Sequence, residues 1–278
     1  MGFKTVLLVV GVDHPDAEVD RAAQIAEGLE GHLSVLVLGI APPPPTSAYG
    51  VVSNDIWAAQ YQDNQQVVDD RAGALRDRLA GRSAPVTVTS QFIDRASVST
   101  LVARHARYAD LTLILPEPEA TEPIQGWVTT GALFESGRPV VLLPAGRSPF
   151  PAVRRAMIAW DASVEAAKAV RDAIGLMQRA ERVTAVLIDP VPSFDGHGQE
   201  PGADLAVYLG RHGIEIEVLR LPREGKDVAE VLQRTAVDLE ADLLVMGGFG
   251  HSRLRQRIFG GTTMSTLKAT GVATLMSH

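Results

Sequence analysis

The chain's most informative stretch is ADLLVMGGFGHSRLRQRIFGGT, residues 241–262. It begins with a short apolar run that is typical of a buried strand, and it continues into a segment rich in glycine and arginine. Because glycine has no Cβ atom, its backbone N–H group can approach a ligand closely. We predict a helix from about residue 263 to 270, and the glycines and threonines that lead into it offer unpaired amides at the positive end of a helix dipole. The stretch therefore favours a site for an anion such as phosphate.

This stretch is one part of an internal repeat, because each half of the chain carries five short apolar runs in the same order. In the first half the runs are 4–10, 33–38, 86–89, 109–115 and 137–144. In the second half they are 155–160, 183–188, 214–218, 241–246 and 271–276. Segments with helical spacing lie between them: 17–29, 164–177, 227–239, and a longer one from about Asp55 or Ile56 to 79–81.

Strands that are apolar on both faces and alternate with amphipathic helices indicate a parallel sheet covered on two sides. The sequence therefore predicts an α/β protein with two tandem, doubly wound, five-stranded parallel-sheet domains. We place the boundary at the proline-bracketed segment Ser148–Pro151, which gives domains of residues 1–148 and 149–278. In the helix at 227–239 we expect the following residues to face inward: Val228, Val231, Leu232, Thr235 and Val237.

Composition narrows the classes of function. The chain has 278 residues, of which 46% are hydrophobic and 21% charged, so it can bury a core. Its net charge of −7 gives no general attraction to nucleic acid or to an anionic membrane. Cysteine is absent, which excludes disulfides, thiolate metal sites and cysteine nucleophiles. No apolar run approaches the roughly 18 residues that span a bilayer, and no secretory cleavage site follows the first run, so we expect a cytoplasmic protein.

The glycine spacing in residues 247–262 resembles that of nucleotide-binding members of the universal stress protein family. Those members carry Gly-x2-Gly-x9-Gly followed by Ser or Thr, and Gly247, Gly250 and Gly260 have the required spacings. Gly261 stands where the family pattern has Ser or Thr. The resemblance covers nearly the whole chain in a tandem two-domain form, with the second half closer than the first. It implies an adenine nucleotide alpha hydrolase-like fold with strand order 3-2-1-4-5 in each domain.

The resemblance also implies a ligand and the residues that line its site. Family members place an aspartate at the end of the first strand, where it contacts adenine and ribose, and Asp161 occupies that position; the end of the second strand usually lines the adenine pocket. The implied ligand-binding residues are Ala159, Trp160, Asp161, Val186, Leu187, Ile188, Gly247, Gly250, His251, Arg253, Gly260, Gly261, Thr262 and Thr263. The implied ligand is ATP, or else ADP or AMP, with Mg²⁺ on the phosphates.

The residues themselves support part of this interpretation and leave alternatives open. In an open parallel sheet, ligands bind beyond the carboxyl ends of the strands where the strand order reverses, so Asp161 and Gly247 should share a crevice. The alternative for 247–261 is a flexible loop with a solvated basic stretch. Asp161 is also suited to cap the helix that follows, Trp160 to pack in the core, and His251 to lie exposed in a loop.

The first half lacks the glycine motif. After its fourth apolar run the sequence reads PEPEATEP, residues 116–123, with carboxylates and prolines in place of glycines. Carboxylates repel a phosphate and proline has no backbone N–H, so we interpret this half as a scaffold that binds no nucleotide. Asp13 remains at the end of its first strand.

Three functions are compatible with these patterns. The first is a stress-response regulatory protein that binds ATP in its second half. The second is a nucleotide-free module for protein interaction, and the third is an enzyme that uses the same crevice, at most a slow ATPase. We assign no catalytic or metal-ligating residue, since the seven histidines are widely separated and no P-loop or nucleophile motif is present. We also expect the fifth strands, 138–143 and 271–277, to pair within one chain as a pseudo-dimer, with homodimers possible and the protein partner unknown.

Overall fold

The structure, a computed structural model, describes residues 2–43, 54–116, 123–146, 148–192, 198–248 and 271–278. Its contacts divide the chain into two units. The first unit comprises Phe3–Leu113 and Glu117–Ser136, and the second unit comprises Met1–Gly2, Ile114–Pro116 and Gly137–His278. The domain boundary at residues 148 and 149 stays a prediction.

The first unit alternates strands with helices. Its strands are β1 (Thr5–Gly11), β2 (His32–Ala41), β3 (Val86–Asp94) and β4 (Leu111–Ile114), and its helices are α1 (Asp16–Gly28), α2 (Asn54–Leu79), α3 (Val98–Ala106) and α4 (Gln125–Thr129). A 3₁₀ turn, Arg95–Ser97, precedes α3, and a π-helical turn, Thr130–Glu135, follows α4. All strand pairs are parallel, in the order β3-β2-β1-β4. Strands β1, β2 and β4 are buried on both faces, as their continuous apolar runs predict, whereas the edge strand β3 is mostly exposed or half-buried.

The second unit repeats this arrangement. Its strands are β5 (Val140–Leu142), β6 (Arg155–Ala159), β7 (Arg182–Ile188), β8 (Glu217–Leu221), β9 (Leu243–Gly247) and β10 (Ala273–Ser277), and its helices are α5 (Val164–Met177), α6 (Ala203–Gly210) and α7 (Val228–Asp238). The parallel order β10-β9-β6-β7-β8 confirms the predicted 3-2-1-4-5 pattern for the second half. Strand β5 pairs antiparallel with β10, so the expected pairing of the two fifth strands is also confirmed.

Two details of the second half differ from the sequence-based prediction. Strand β8 begins at Glu217, three residues after the predicted start at Ile214. Ile214 is buried because it packs at the end of α6, where its N–H donates to the carbonyl of Leu209 at 3.0 Å. Its apolar side chain therefore packs at the end of a helix. This helix, α6, was not predicted from the sequence.

The buried face of α7 is narrower than its sequence suggests. Leu232, Thr235 and Ala236 are buried, whereas Val228 and Val237 are 42% and 60% exposed. The helix begins directly after Asp227, whose carboxylate accepts from the Ala229 N–H at 3.3 Å, so Val228 lies in a first turn that points away from the core. The helix predicted at 263–270 lies outside the described residues.

In each half, an aspartate side chain accepts hydrogen bonds from the backbone at the start of the first strand. Asp110, just before β4, accepts from the backbone N–H groups of Lys4–Thr5 at 2.9 and 3.0 Å. Asp242, just before β9, accepts from those of Arg154–Arg155 at 2.9 Å each. In both cases a single carboxylate oxygen, Oδ2, holds two neighbouring amides, so the repeat seen in the sequence extends to individual hydrogen bonds.

Candidate functional site

The end of β6 positions the predicted site of the second half. Ala159 is in register with Val186 of β7 on one side and with Met246 of β9 on the other. The Trp160 N–H continues the ladder by donating to the Val186 carbonyl at 2.9 Å. One residue further in the β9 register is Gly247, so the segments that begin with Trp160 and Gly247 leave the sheet side by side. The chain proceeds from β6 to β7 on one side and reaches β9 on the other, which is the switch point where such sheets bind ligands.

Asp161 is exposed and lies in the turn between β6 and α5. Its Oδ1 accepts from the Ser163 N–H at 3.0 Å, while the Ser163 hydroxyl accepts from the Ala166 N–H at 3.1 Å and caps α5. Ala162 between them has a left-handed backbone, with φ of 60°. The capping role is therefore carried by Ser163, and Asp161 holds the turn that precedes it. Among the described residues none donates to Asp161 Oδ2, which leaves this oxygen available to a ligand's hydroxyl or amino group.

Gly247 lets α5 pack against the end of β9. A Cβ atom at this position would lie 2.7 Å from the Ala166 nitrogen and 2.9 Å from the Glu165 carbonyl carbon, both of them backbone atoms. Only a glycine avoids that collision without moving the helix. The packing of α5 therefore requires a glycine here, independently of any ligand. As a result, the amino end of α5 lies directly beside the carboxyl edge of the sheet.

The next residue is bound to the other neighbouring strand. The Gly248 N–H donates to the Ser277 carbonyl at 2.6 Å, and the Gly248 carbonyl accepts from His278 Nδ1 at 2.9 Å. Ser277 is itself buried, and its hydroxyl donates to Asp172 of α5 at 2.9 Å. Both backbone groups of Gly248 are thus engaged at the end of β10, and helix, loop and strand are fixed together where the glycine motif begins.

The three residues at the end of β7 differ in accessibility. Val186 and Leu187 are buried, whereas Ile188 is partly exposed. Leu187 packs toward Gly202, the left-handed residue before α6, where a Cβ atom would lie 3.6 Å from the leucine Cδ1. Val186 and Leu187 therefore belong to the core beneath the strand end. Ile188 is the member of this set that a ligand at the edge can reach.

The remaining predicted residues fall on a part of the chain that the structure does not describe. These are Gly250, His251, Arg253, Gly260, Gly261, Thr262 and Thr263. Their assignment to a phosphate site stays a prediction. Within the described ranges no three His, Asp or Glu side chains cluster as metal ligands. No described helix has the length and apolar character needed to cross a membrane.

Sequence reasoning missed a cavity in the first unit. It has a volume of about 240 Å³ and lies at the carboxyl ends of β1 and β2, against α2 and Ile124. The lining includes Asp13, the counterpart of Asp161, together with Ile40 and Phe92. The available signal was Asp13 at the strand end, but the missing glycine motif led to the interpretation of this half as a scaffold.

Comparisons with known proteins agree with this fold. Residues 152–278 match the model of the universal stress protein family. No curated protein sequence matches the chain.

Solved structures resemble the chain over almost its full length. A universal stress protein from Archaeoglobus fulgidus is 16% identical with a TM-score of 0.64, and the match covers 98% of this chain and 95% of that one. A functionally unknown protein from Pseudomonas aeruginosa is 17% identical with a TM-score of 0.54, covering 99% and 92%. At these identities the likeness concerns the fold. The family match shows that residues 152–278 form a universal stress protein domain.

Proposed function

We propose that the chain is a stress-response regulatory protein whose second half binds ATP at the carboxyl edge of its sheet. The observation that carries this proposal is the placement of Asp161 and Gly247 side by side at the switch point of a universal stress protein domain. A carboxylate oxygen without a partner among the described residues stands there next to the start of the Gly-x2-Gly-x9-Gly motif. That combination suits a ligand with hydroxyl groups at one end and phosphates at the other.

Each part of the nucleotide has a counterpart in this arrangement. Asp161 Oδ2 accepts from the ribose hydroxyls or the adenine amino group, and Ile188 contributes an accessible apolar contact for the base. The motif residues from Gly250 to Thr263 supply backbone amides and hydroxyls to the phosphates, and Arg253 supplies charge. Mg²⁺ would add charge neutralisation on the phosphates, and we assign it no protein ligand. A cytoplasmic location and an unidentified protein partner complete the proposal.

The test begins with the purified full-length chain. It is denatured, any released nucleotide is identified by mass, and ATP is titrated into the emptied and refolded protein by calorimetry. We expect Asp161→Asn to weaken ATP binding about 10-fold, since it replaces a charged acceptor by a neutral amide. Gly250→Val should abolish binding.

The matched control is Asp13→Asn, the same change at the equivalent strand end of the first half. It should leave ATP binding unchanged. Equal losses in the two aspartate variants would contradict the assignment of the site to the second half. An empty protein without measurable ATP affinity would instead favour the nucleotide-free interaction module.

A further inference from the structure

We infer that the first half binds a small organic cation with an apolar body, in the cavity at the carboxyl edge of its own sheet. The cavity of about 240 Å³ lies entirely within the first unit. Its walls come from the exits of β1 and β2, residues Gly11–His14 and Leu38–Ile40, and from α2. Ligands of parallel sheets bind beyond these strand ends, so the position suits a binding site. The inference is independent of ATP binding in the second half.

The body of the cavity is apolar. Ile40, Val68, Phe92 and Ile124 line it, and Val68 and Ile124 are buried. Room for these side chains depends on Gly39, where a Cβ atom would collide with Val68 and lie 2.8 Å from Phe92 Cδ2. These walls favour a ligand with apolar surface, because contact with them removes apolar surface from water.

Phe92 is held in a fixed orientation by other aromatic residues. The Tyr61 ring meets it edge to face, with centroids 4.7 Å apart, and Trp57 packs on Tyr61 at 5.3 Å. A fixed aromatic ring in a cavity wall attracts a cation to its face through the negative charge of the π system. As a lining residue, Phe92 supplies an aromatic contact that suits a ligand with positive charge.

The charge at the rim of the cavity also favours a positively charged ligand. Asp13 is exposed there, and no described residue donates to it or forms an ion pair with it. Arg71 binds the neighbouring residue, donating to the His14 carbonyl at 2.7 Å, and it pairs with Asp16 at 2.7 Å. No lysine or arginine is present among the described lining residues. A carboxylate without a counter-ion beside an apolar wall attracts an amine and repels a phosphate or carboxylate.

The size of the cavity limits the ligand. Drug-sized ligands occupy pockets of roughly 300 to 1,000 Å³. The first-half cavity is smaller than that range, and the polar side chains among its lining residues are those of Asp13, His14 and Asn64. An aromatic or branched aliphatic amine fits these features, with its ammonium group at Asp13 and its apolar part between Ile40 and Phe92.

The experiment uses three probes of equal shape and different charge: benzylamine, benzyl alcohol and benzoate. Backbone amide NMR spectra of the full-length chain are recorded during each titration, at probe concentrations up to about 10 mM. We expect benzylamine to shift the amides of Gly11–His14 and Leu38–Ile40. Benzyl alcohol should bind at least about 5-fold more weakly, because it lacks the charge that Asp13 attracts, and benzoate should not bind.

Two pairs of variants locate the effect. Asp13→Asn should weaken benzylamine binding about 10-fold and remove its advantage over benzyl alcohol, whereas Asp161→Asn should change neither. Val67→Trp should block the cavity, since Val67 lines its mouth on α2 and is 54% exposed, a position where a larger side chain is tolerated. Val237→Trp is the matched control, because this valine is also helical, 60% exposed and far along the sequence on α7.

Three results would overturn the inference. They are equal affinities for benzylamine and benzyl alcohol, shifts confined to other residues, and no binding of benzylamine over the whole concentration range. The proposed ATP site is judged separately, because its readout is an ATP titration and its diagnostic variant is Asp161→Asn. Loss of one site with retention of the other would show which of the two proposals fails.

Discussion

The two halves agree at the amino edge of their sheets and differ at the carboxyl edge. At the amino edge Asp110 and Asp242 hold the first strands of their halves with nearly identical hydrogen bonds. Each aspartate adds a backbone hydrogen bond, because the N–H groups of Asp110 and Asp242 donate to the carbonyls of Thr5 and Arg155 at 2.8 Å. The amino edge therefore has the same hydrogen-bonding pattern in both halves.

At the carboxyl edge the corresponding positions have different residues. Aligned on the two aspartates, Gly247 in the second half corresponds to Leu115 in the first, and Leu115 is buried. The glycine admits the amino end of α5 to the strand end, whereas the first half has an apolar cavity beside Asp13. The loops at this edge bind the ligands of parallel-sheet proteins, so different residues here allow the two halves to bind different ligands.

The largest expected effect comes from Gly247→Ala. Its Cβ atom would lie 2.7 Å from the Ala166 nitrogen, so α5 must move away from β9. We expect a loss of about 3 kcal/mol in the free energy of unfolding, the range for overpacking against backbone. Urea denaturation measures it. Gly210→Ala is the control, since no atom lies within 4 Å of its added Cβ and the residue is helical, and it should be neutral or slightly stabilising. Equal stability of the two variants would contradict the packing role of Gly247.

Because the hydrogen bonds at the amino edge are alike in the two halves, we expect substitutions of the two aspartates to lower stability by similar amounts. Asp110→Ala and Asp242→Ala each leave two backbone N–H groups without their charged acceptor. Each change should lower the free energy of unfolding by about 2 kcal/mol, because hydrogen bonds to charged groups are stronger than neutral ones. Urea denaturation of both variants tests the equivalence. A large effect in one half and none in the other would show that the likeness of the hydrogen bonds does not extend to their energies.

The smallest expected effect is a pH dependence that arises from a histidine of the first half. Burial, with a further contribution from Arg104, lowers the pKa of His105 below its usual value, whereas the aligned residue in the second half is Val237. The unfolded chain therefore takes up a proton at a higher pH than the folded chain does. Stability is fully present above the usual pKa of histidine and declines as the pH falls through that value toward the lowered one.

His105→Gln should remove this part of the decline, and melting temperatures measured across the pH range would detect the difference. His212→Gln, at an exposed position, serves as the control. An unchanged pH profile in His105→Gln would exclude burial of its ring as the cause.

The sequence predicted the fold well because the fold depends on periodicity and apolar runs. Helix α5 spans Val164–Met177, as predicted, and the strand order follows. Errors arose where an apolar residue has a reason for burial other than the expected one, as for Ile214 at the end of α6. The expected neighbouring positions of Asp161 and Gly247 at two strand ends are confirmed, because they follow from the strand order. Their role in binding stays a prediction, and the division of capping between Asp161 and Ser163 depends on backbone angles. The first-half cavity could not be predicted, since it depends on how Gly39 admits Val68 and Phe92 from different elements.

The antiparallel pairing of β5 with β10 determines where the chain can be divided for expression. A fragment of residues 149–278 would contain the whole family domain but would lose β5, and the backbone of β10 would become an open sheet edge. Open, apolar edges recruit further strands, so such a fragment should self-associate through Ala273–Ser277. A fragment that starts at Gly137 retains the covering strand and should remain monomeric. The practical end of the first half is therefore just before Gly137, eleven residues ahead of Ser148, where the proline-bracketed segment begins.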